Sequence, residues 1–99
     1  MPLEVRESFA AKQDRQDIWL YIANDSIRAA DRLLDAILAV GQRAGEFPES
    51  GQLRPELGDG IRAIPLDNYV IYYRLTPDAV YVLRVLHSAR NARAEFEGQ

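Results

Sequence analysis

The sequence predicts an α+β fold in which a hairpin of two helices packs against a small antiparallel sheet. Three observations support this prediction: the chain opens with alternating apolar and polar residues, continues with helix-forming stretches, and then carries apolar segments separated by short turns. The chain has 99 residues, 47% of them hydrophobic, which suits one small domain with a thin core. We therefore expect one domain over residues 1–99 with the element order β-α-α-β-β-β.

The first strand and the first helix are indicated by a change of period. Apolar and polar residues alternate over Leu3–Ser8, which is typical of a half-buried strand. From about Ala10 the chain contains good helix formers and neither proline nor glycine, so we expect the first helix there. The apolar run over residues 18–23 is continuous, which indicates a helix buried on more than one side.

The second helix has the clearest pattern in the chain. The polar residues Asn24, Asp25 and Ser26 interrupt the first helix and supply a cap for the next one. The helix should end near Gly45, ahead of Pro48, and the short link predicts an antiparallel helical hairpin. Apolar residues recur at helical spacing at Ala30, Leu33, Leu34, Ile37, Leu38 and Gly41.

The second half of the chain predicts a loop followed by three antiparallel strands. A turn-rich loop runs from Pro48 to Gly60, and the segment from Ser88 onward returns to a helix-like composition, which predicts a short C-terminal helix or tail. Two tight turns, at residues 67–68 and 76–78, join the strands into a meander. The strands are predicted at Ile61–Leu66, Tyr69–Leu75 and Val80–His87.

Composition excludes several classes of protein and site. A net charge of −3 and an isoelectric point near 5.1 argue against bulk, sequence-blind nucleic-acid binding, and we expect no direct sequence-specific contact with nucleic acid. The absence of cysteine excludes disulfides and thiolate metal sites, and no histidine cluster or phosphate-binding loop suggests a metal or another cofactor. No apolar run reaches membrane-spanning length and the first residues lack a signal-peptide core, so we expect a cytoplasmic protein without membrane contact.

The positive charge is concentrated in the second half of the chain. Between residues 60 and 94, five arginines stand against two aspartates, so this segment carries about +3 within an acidic protein. Lys12 is the one lysine among the twelve basic residues. Arginine suits bidentate contacts to carboxylates and phosphates, although a genome rich in G and C also favours its codons.

The ordered pattern of the chain resembles the ParE branch of the ParE/RelE toxin superfamily. The resemblance rests on five stretches that occur in this order: "DIWLYIANDS", "AADRLLDAI", "FPESGQLRPELGDGIRAI", "YVIYYRL" and "VYVLRVLHSARN". It implies the fold predicted above, a toxin of a type II toxin–antitoxin system, and a bacterial cytoplasmic location. It also implies two partners, a cognate ParD-like antitoxin and DNA gyrase, and inhibition by protein–protein binding rather than by catalysis.

The same resemblance leaves a RelE-like messenger-RNA endonuclease as the alternative. A metal-free ribonuclease needs a base, an acid and cations that hold the phosphate, and the candidates here are Arg62, Arg84, His87 and Arg90. RelE-type nucleases typically present a face rich in lysine and arginine, whereas this chain has no lysine after Lys12. A further alternative is an inactive toxin that only binds an antitoxin.

The arginines are therefore interpreted as a docking face, with ordinary solvation as the competing explanation. The candidates for binding the target are Arg62, Arg84, Arg90 and Arg93. A charge within an apolar strand must reach solvent or find a carboxylate, because unpaired burial is costly. Asp14 and Asp17 lie three residues apart on the first helix, and we expect them on a solvated face.

The candidates for binding the antitoxin are apolar. The first helix cannot bury its whole apolar run against one thin sheet, so Trp19 or Leu20 should reach the surface, where a partner helix could cover it. The alternative is that Trp19 closes one end of the core. The first strand, with Leu3 and Val5, is an edge strand candidate that could accept a strand from the partner.

Overall fold

Two helices cover one face of a five-stranded sheet in the computed structural model, which describes residues 2–97. The spatial order of the strands is β1-β5-β4-β3-β2. The predicted α+β class and element order are confirmed, while the last two residues of the predicted polar tail lie outside the described range. The elements are β1 (Glu4–Glu7), α1 (Phe9–Ala23), α2 (Ile27–Glu46), β2 (Gln52–Leu53), β3 (Ile61–Leu66), β4 (Tyr69–Leu75), β5 (Ala79–His87) and α3 (Ala92–Glu97).

The sheet is mixed rather than wholly antiparallel. Strands β3, β4 and β5 form the predicted antiparallel meander, but β1 pairs in parallel with β5, with Val5 opposite Val80. Short turns impose antiparallel pairing on the meander, whereas β1 and β5 are joined through the whole helical hairpin and three further strands, so no local signal sets their direction. One extra residue, Leu83, interrupts the pairing of β5 with β4 opposite Tyr72 and Tyr73.

Ser8 ends the first strand and begins the first helix. Its backbone N–H donates to the carbonyl of Val82, which continues the sheet, and its Oγ accepts from the N–H of Ala11 at 2.9 Å, which caps the helix. Because the helix starts at once, the period-two pattern stops there and Phe9 points outward with 83% of its surface exposed. Ala11, on the opposite side of the helix, is fully buried in the core.

The second helix packs closely against β1 because its inner face carries small residues near its C-terminus. The N–H of Leu3 donates to the carbonyl of Gly45 at 2.9 Å, and a Cβ at Gly45 would lie only 2.7 Å from the Leu3 carbonyl oxygen. Ser26 caps the start of the helix through its Oγ, as predicted. The helix ends at Glu46, one residue beyond the predicted end.

The loop after α2 contains regular structure that the sequence analysis did not predict. It contains the short strand β2, which pairs with β3, and a 3-10 turn over Pro55–Leu57. The hydroxyl of Tyr73 donates to the carbonyl of Pro48 at 2.7 Å and accepts from the N–H of Gly51 at 2.9 Å. This buried tyrosine therefore anchors the loop to the sheet, which the loop's own sequence does not reveal.

The hydrophobic core lies on both faces of the sheet. On the helical side, Ile37 packs with Ile71 and Val85. On the opposite side, which we call the open face, α3 and the 3-10 turn cover a smaller cluster, and the ring of Phe96 meets Tyr72 edge-on at 5.4 Å between centroids. None of the helices among residues 2–97 has both the length and the apolar character needed to cross a bilayer.

Candidate functional site

The four residues proposed for a ribonuclease do not form one cluster. Arg62 lies opposite Tyr73, which lies opposite Val82 on β5, and His87 is five residues farther along that strand. At the rise of an extended strand this places Arg62 and His87 about 16 Å apart along the sheet. The Arg62 Nη1 donates to the carbonyls of Gly51 at 2.8 Å and Glu49 at 3.2 Å, so Arg62 fastens the loop after α2.

Arg84 is part of an ion-pair network that joins three elements. Its guanidinium binds both carboxylate oxygens of Asp14 on α1, at 2.8 and 2.9 Å, and also reaches Glu95 on α3 at 3.3 Å. These partners raise the pKa of Arg84, chiefly through the hydrogen bond to Asp14. The N–H of Val85 also donates to Asp14 at 3.0 Å.

This network corrects the interpretation of Asp14. The sequence predicted a solvated carboxylate, but only 13% of the Asp14 side chain is exposed. The spacing of Asp14 and Asp17 on one helix did not show that the two carboxylates differ in burial. The partner of Asp14, Arg84, lies 70 residues away in the chain. Asp17 does lie on the exposed surface, where it accepts a hydrogen bond from Gln13.

His87 is exposed at the end of β5. Its Nδ1 accepts from the backbone N–H of Ala89 at 3.0 Å, and its ring meets Tyr69 edge-on at 5.3 Å between centroids. Burial raises the pKa of the Tyr69 hydroxyl. His87 therefore contacts the segment that follows the strand.

Arg90 and Arg93 come together with a third arginine that the sequence analysis did not single out. They line a pocket of about 490 Å³ on the open face together with Arg54, which precedes the 3-10 turn. We call this the basic pocket, defined by these three arginines. Its remaining lining is contributed by Glu56, Leu57, Val70, Tyr72, Ser88, Asn91 and Ala92.

Two carboxylates hold the edges of the basic pocket in place. Glu56 accepts from the Nε of Arg54 at 2.8 Å, and this hydrogen bond lowers the pKa of Glu56. Glu95 forms an ion pair with Arg90, which is the main reason why the pKa of Glu95 is lowered. Arg54 was missed because it lies 36 residues before Arg90 in a loop, and only the folding of that loop brings the two together.

The apolar candidates lie on the other side of the molecule, around the helical hairpin. Trp19 and Leu20 line a groove of about 330 Å³ together with Arg15, Gln16 and Leu34. Leu20 is 63% exposed, whereas Trp19 is half-buried and its indole N–H donates to Asp31 on α2 at 2.9 Å. Leu20 thus presents apolar surface beside this groove, and Trp19 joins the two helices.

The first strand lies at the edge of the sheet, beside a second small groove. Leu3 and Val5 are half-buried, and Val5 lines a groove of about 130 Å³ whose other wall includes Leu38 and Gly41 of α2. The N–H of Ser8 points to β5, so strand alternation directs the N–H groups of Val5 and Glu7 to the outer edge. Within residues 2–97, no group of three histidine, aspartate or glutamate side chains could hold a metal ion.

The architecture places the chain in the ParE/RelE toxin superfamily. A chain of the chromosomal ParDE toxin–antitoxin system from P. aeruginosa superposes with a TM-score of 0.72 at 17% identity, over 86% of this chain and 95% of that one. A chain of the toxin–antitoxin complex RelBE2 from Mycobacterium tuberculosis gives a TM-score of 0.68 at 25% identity, over 88% of this chain and 99% of that one.

Sequence comparison defines the family within that superfamily. Residues 5–92 match the family described as the ParE toxin of type II toxin–antitoxin systems, parDE, and the chain therefore belongs to the ParE toxin family. Toxin ParE1 of Caulobacter vibrioides is 33% identical over 92 residues, covering 92% of this chain and 95% of that protein. Toxin ParE3 of the same organism is 31% identical over 73 residues, covering 74% and 73%.

A third relative carries the name of the other branch. Toxin RelE3 of Caulobacter vibrioides is 28% identical to this chain over 79 residues, covering 79% of this chain and 86% of that protein. The relatives of this chain therefore include proteins named ParE and a protein named RelE.

Proposed function

We propose that this ParE-type toxin inhibits DNA gyrase by protein–protein binding and is neutralised by a cognate ParD-like antitoxin in the bacterial cytoplasm. The observation that carries the proposal is the family match over residues 5–92, because it spans both the helical hairpin and the sheet. Growth arrest by loss of gyrase activity is the expected consequence when the antitoxin is absent.

The dispersal of the candidate catalytic side chains supports binding over catalysis. General acid–base cleavage needs the base, the acid and the phosphate-holding cations within hydrogen-bond reach of one phosphodiester. Arg62 and Arg84 are both occupied by contacts that hold the fold together. Of the four candidates, this leaves His87 and Arg90, which line one groove beside α1. Of the four target-binding candidates, Arg90 and Arg93 are exposed.

The apolar surfaces around the hairpin support an antitoxin partner. An amphipathic helix could cover Leu20 and Leu34 in the first groove, and an extended segment could pair with the outer edge of β1. Both features lie on the helical side of the molecule, away from the basic pocket. An antitoxin bound there would bury apolar area that the toxin alone leaves in contact with water.

The first test is induction of the toxin alone in a bacterium, with DNA and protein synthesis pulse-labelled in parallel. Early loss of DNA synthesis is expected, followed in vitro by loss of supercoiling when purified toxin is added to gyrase and relaxed plasmid. Unchanged supercoiling at a stoichiometric excess of toxin would overturn the gyrase assignment. Growth without any change in either synthesis would indicate an inactive antitoxin binder.

The RelE-like endonuclease remains the second candidate because one relative, Toxin RelE3, and the RelBE2 structure carry that branch's name. Early loss of protein synthesis would favour it. The decisive variant is then His87→Ala combined with Arg90→Ala, since both side chains are exposed. Replacement of Arg84 would be ambiguous, because lost toxicity could reflect lost stability of the fold.

A further inference from the structure

Three arginines from separate parts of the chain line the basic pocket. Arg54 comes from the loop before the 3-10 turn, Arg90 from the turn after β5, and Arg93 from α3. The floor between them is formed in part by Val70 and Tyr72 of β4. The pocket is thus part of the open face of the sheet, on the side away from the helical hairpin.

The pocket carries a surplus of positive charge although the protein is acidic. Its lining contains three arginines and one glutamate, whereas the net charge of the chain is −3. Arg54 uses its Nε for Glu56, and Arg90 pairs with Glu95. Arg93 is exposed and forms no ion pair within residues 2–97. Because each guanidinium has five N–H groups, most of these donors remain available to a ligand.

The uncharged polar groups of the pocket add further donors. The Oδ1 of Asn91 accepts from the N–H of Ala94 at 3.2 Å, and within residues 2–97 its amide NH₂ group donates to no other group. The hydroxyl of Ser88 lines the same pocket. A site with guanidinium, amide and hydroxyl donors recognises an oxyanion, and the planar arginine fork matches phosphate in particular.

We propose that the basic pocket binds the phosphodiester backbone of duplex DNA without regard to sequence. The inference rests on the proposed function, since a toxin docked on gyrase would lie beside the DNA that gyrase holds. His87 lies in the neighbouring groove beside α1, which shares Arg90 with the basic pocket. None of the residues that line the basic pocket itself is a histidine, which favours binding without cleavage. The predicted contact is local, which is compatible with the acidic isoelectric point of the whole chain.

The salt dependence of DNA binding tests the site without gyrase. Fluorescence anisotropy of a labelled duplex of mixed sequence should reveal weak binding, and log K plotted against log salt should fall with a slope of about −2 to −3, because each neutralised phosphate contributes about −0.9. Arg93→Gln should make this slope shallower by about one unit. The control Arg32→Gln removes the same charge from an exposed position on α2 and should leave the slope unchanged.

Several outcomes would overturn the inference. Absence of an anisotropy change at low salt and high protein concentration is one, and an equal effect of Arg32→Gln and Arg93→Gln is another. Tighter binding of single-stranded RNA than of duplex DNA would also reject the assigned ligand. Thermal unfolding followed by circular dichroism should be the same for both variants, which excludes loss of the fold as the cause.

A parallel supercoiling assay separates failure of this inference from failure of the proposed function. If the toxin inhibits gyrase but does not bind DNA, the gyrase assignment stands and the DNA site is rejected. If Arg93→Gln then weakens gyrase inhibition, the pocket recognises an acidic protein surface instead. If the toxin binds DNA through Arg93 but leaves gyrase active, the DNA site stands and the proposed function is rejected.

Discussion

Arg84 carries a positive charge at a position where only 13% of its side chain is exposed. Two carboxylates, Asp14 and Glu95, compensate for this partial burial, and the three side chains connect α1, β5 and α3. A largely buried ion pair is weak evidence of net stabilisation, but removal of one partner is costly because the remaining charge cannot be solvated. The network is therefore interpreted as a structural feature of the fold rather than as a set of free catalytic groups.

Arg84→Ala should lower the free energy of unfolding by about 3 kcal/mol, because Asp14 and Glu95 lose their shared cation while partly shielded from water. Urea unfolding monitored by circular dichroism measures the change. Arg93→Ala is the matched control, and its effect should stay within about 0.5 kcal/mol because that side chain is exposed. Equal effects of the two substitutions would contradict the structural role of Arg84.

At the scale of elements, the contact between β1 and α2 depends on two glycines of the helix. A Cβ at Gly41 would meet the nearest Val5 methyl at 3.4 Å, which is van der Waals contact, whereas a Cβ at Gly45 would lie 2.7 Å from the Leu3 carbonyl oxygen. The first position therefore has room for a methyl group and the second does not.

The two glycines should respond to alanine in opposite directions. Gly45→Ala should destabilise the protein by about 2 kcal/mol, since the strand must move away from the helix and strain the hydrogen bond between Leu3 and residue 45. Gly41→Ala should be neutral or stabilising by up to about 1 kcal/mol, because alanine favours the helix. Thermal unfolding of both variants tests the prediction, and equal destabilisation would show that the packing argument is wrong.

The short helix α3 depends on its contacts with the sheet. It has six residues, well below the length at which an isolated helix is stable. Phe96 packs on Tyr72, and Glu95 binds both Arg84 and Arg90. The attachment of α3 should therefore depend on the charge of one carboxylate.

Acidification should release α3 from the sheet. The pKa of Glu95 is lowered in the folded protein, chiefly by the hydrogen bond from Arg90. The stabilising contribution of Glu95 is therefore complete above the pKa of the unfolded chain, and it is lost as the pH falls through the lower pKa of the folded state. NMR should show the ring protons of Phe96 losing their Tyr72-induced shifts over this acidic range.

Glu95→Gln is the control for the acid transition. The amide cannot ionise, so the ring protons of Phe96 should lack their Tyr72-induced shifts already at neutral pH. Their chemical shifts should then change little on acidification. If the wild-type ring shifts stay constant down to the pH at which the whole protein unfolds, α3 is held by its apolar contacts alone.

At the scale of the whole molecule, the sheet separates two surfaces of different chemistry. The helical side presents apolar grooves beside Leu20 and Val5, and the open face presents the basic pocket. One partner could therefore bind the hairpin without occupying the arginines. This separation predicts that substitutions in the groove beside Leu20 change antitoxin binding and toxicity to different extents.

Leu20→Asp should weaken binding of the cognate antitoxin at least tenfold, because burial of one leucine contributes roughly 1.5–3 kcal/mol and 1.4 kcal/mol corresponds to a tenfold change. Isothermal titration calorimetry measures the change. Leu53→Asp is the matched control, since Leu53 is 52% exposed on β2 at the opposite edge of the sheet. Comparable losses in both variants would exclude the groove as the specific antitoxin surface, while toxicity of the toxin alone should be unchanged in each.

Much of the fold could be predicted because its signals are local. The period of α2, the caps at Ser26 and the two short turns of the meander each depend on residues close together in sequence, and the observed bounds of β3 and β4 equal the predicted ones. The sequence also predicted that Trp19 or Leu20 would reach the surface, because a continuous apolar run cannot be buried completely by one thin sheet, and the structure exposes Leu20.

The sequence by itself therefore determined the fold class, the helical hairpin, the antiparallel meander and the resemblance to the ParE family. Only the tertiary structure decided that β1 runs parallel to β5, that Asp14 binds Arg84, and that Arg54 joins Arg90 and Arg93 in one pocket. The physical reason is the same in each case. These contacts join residues 36 to 75 positions apart, and neither the period of an element nor the chemistry of a turn records which distant side chains will meet.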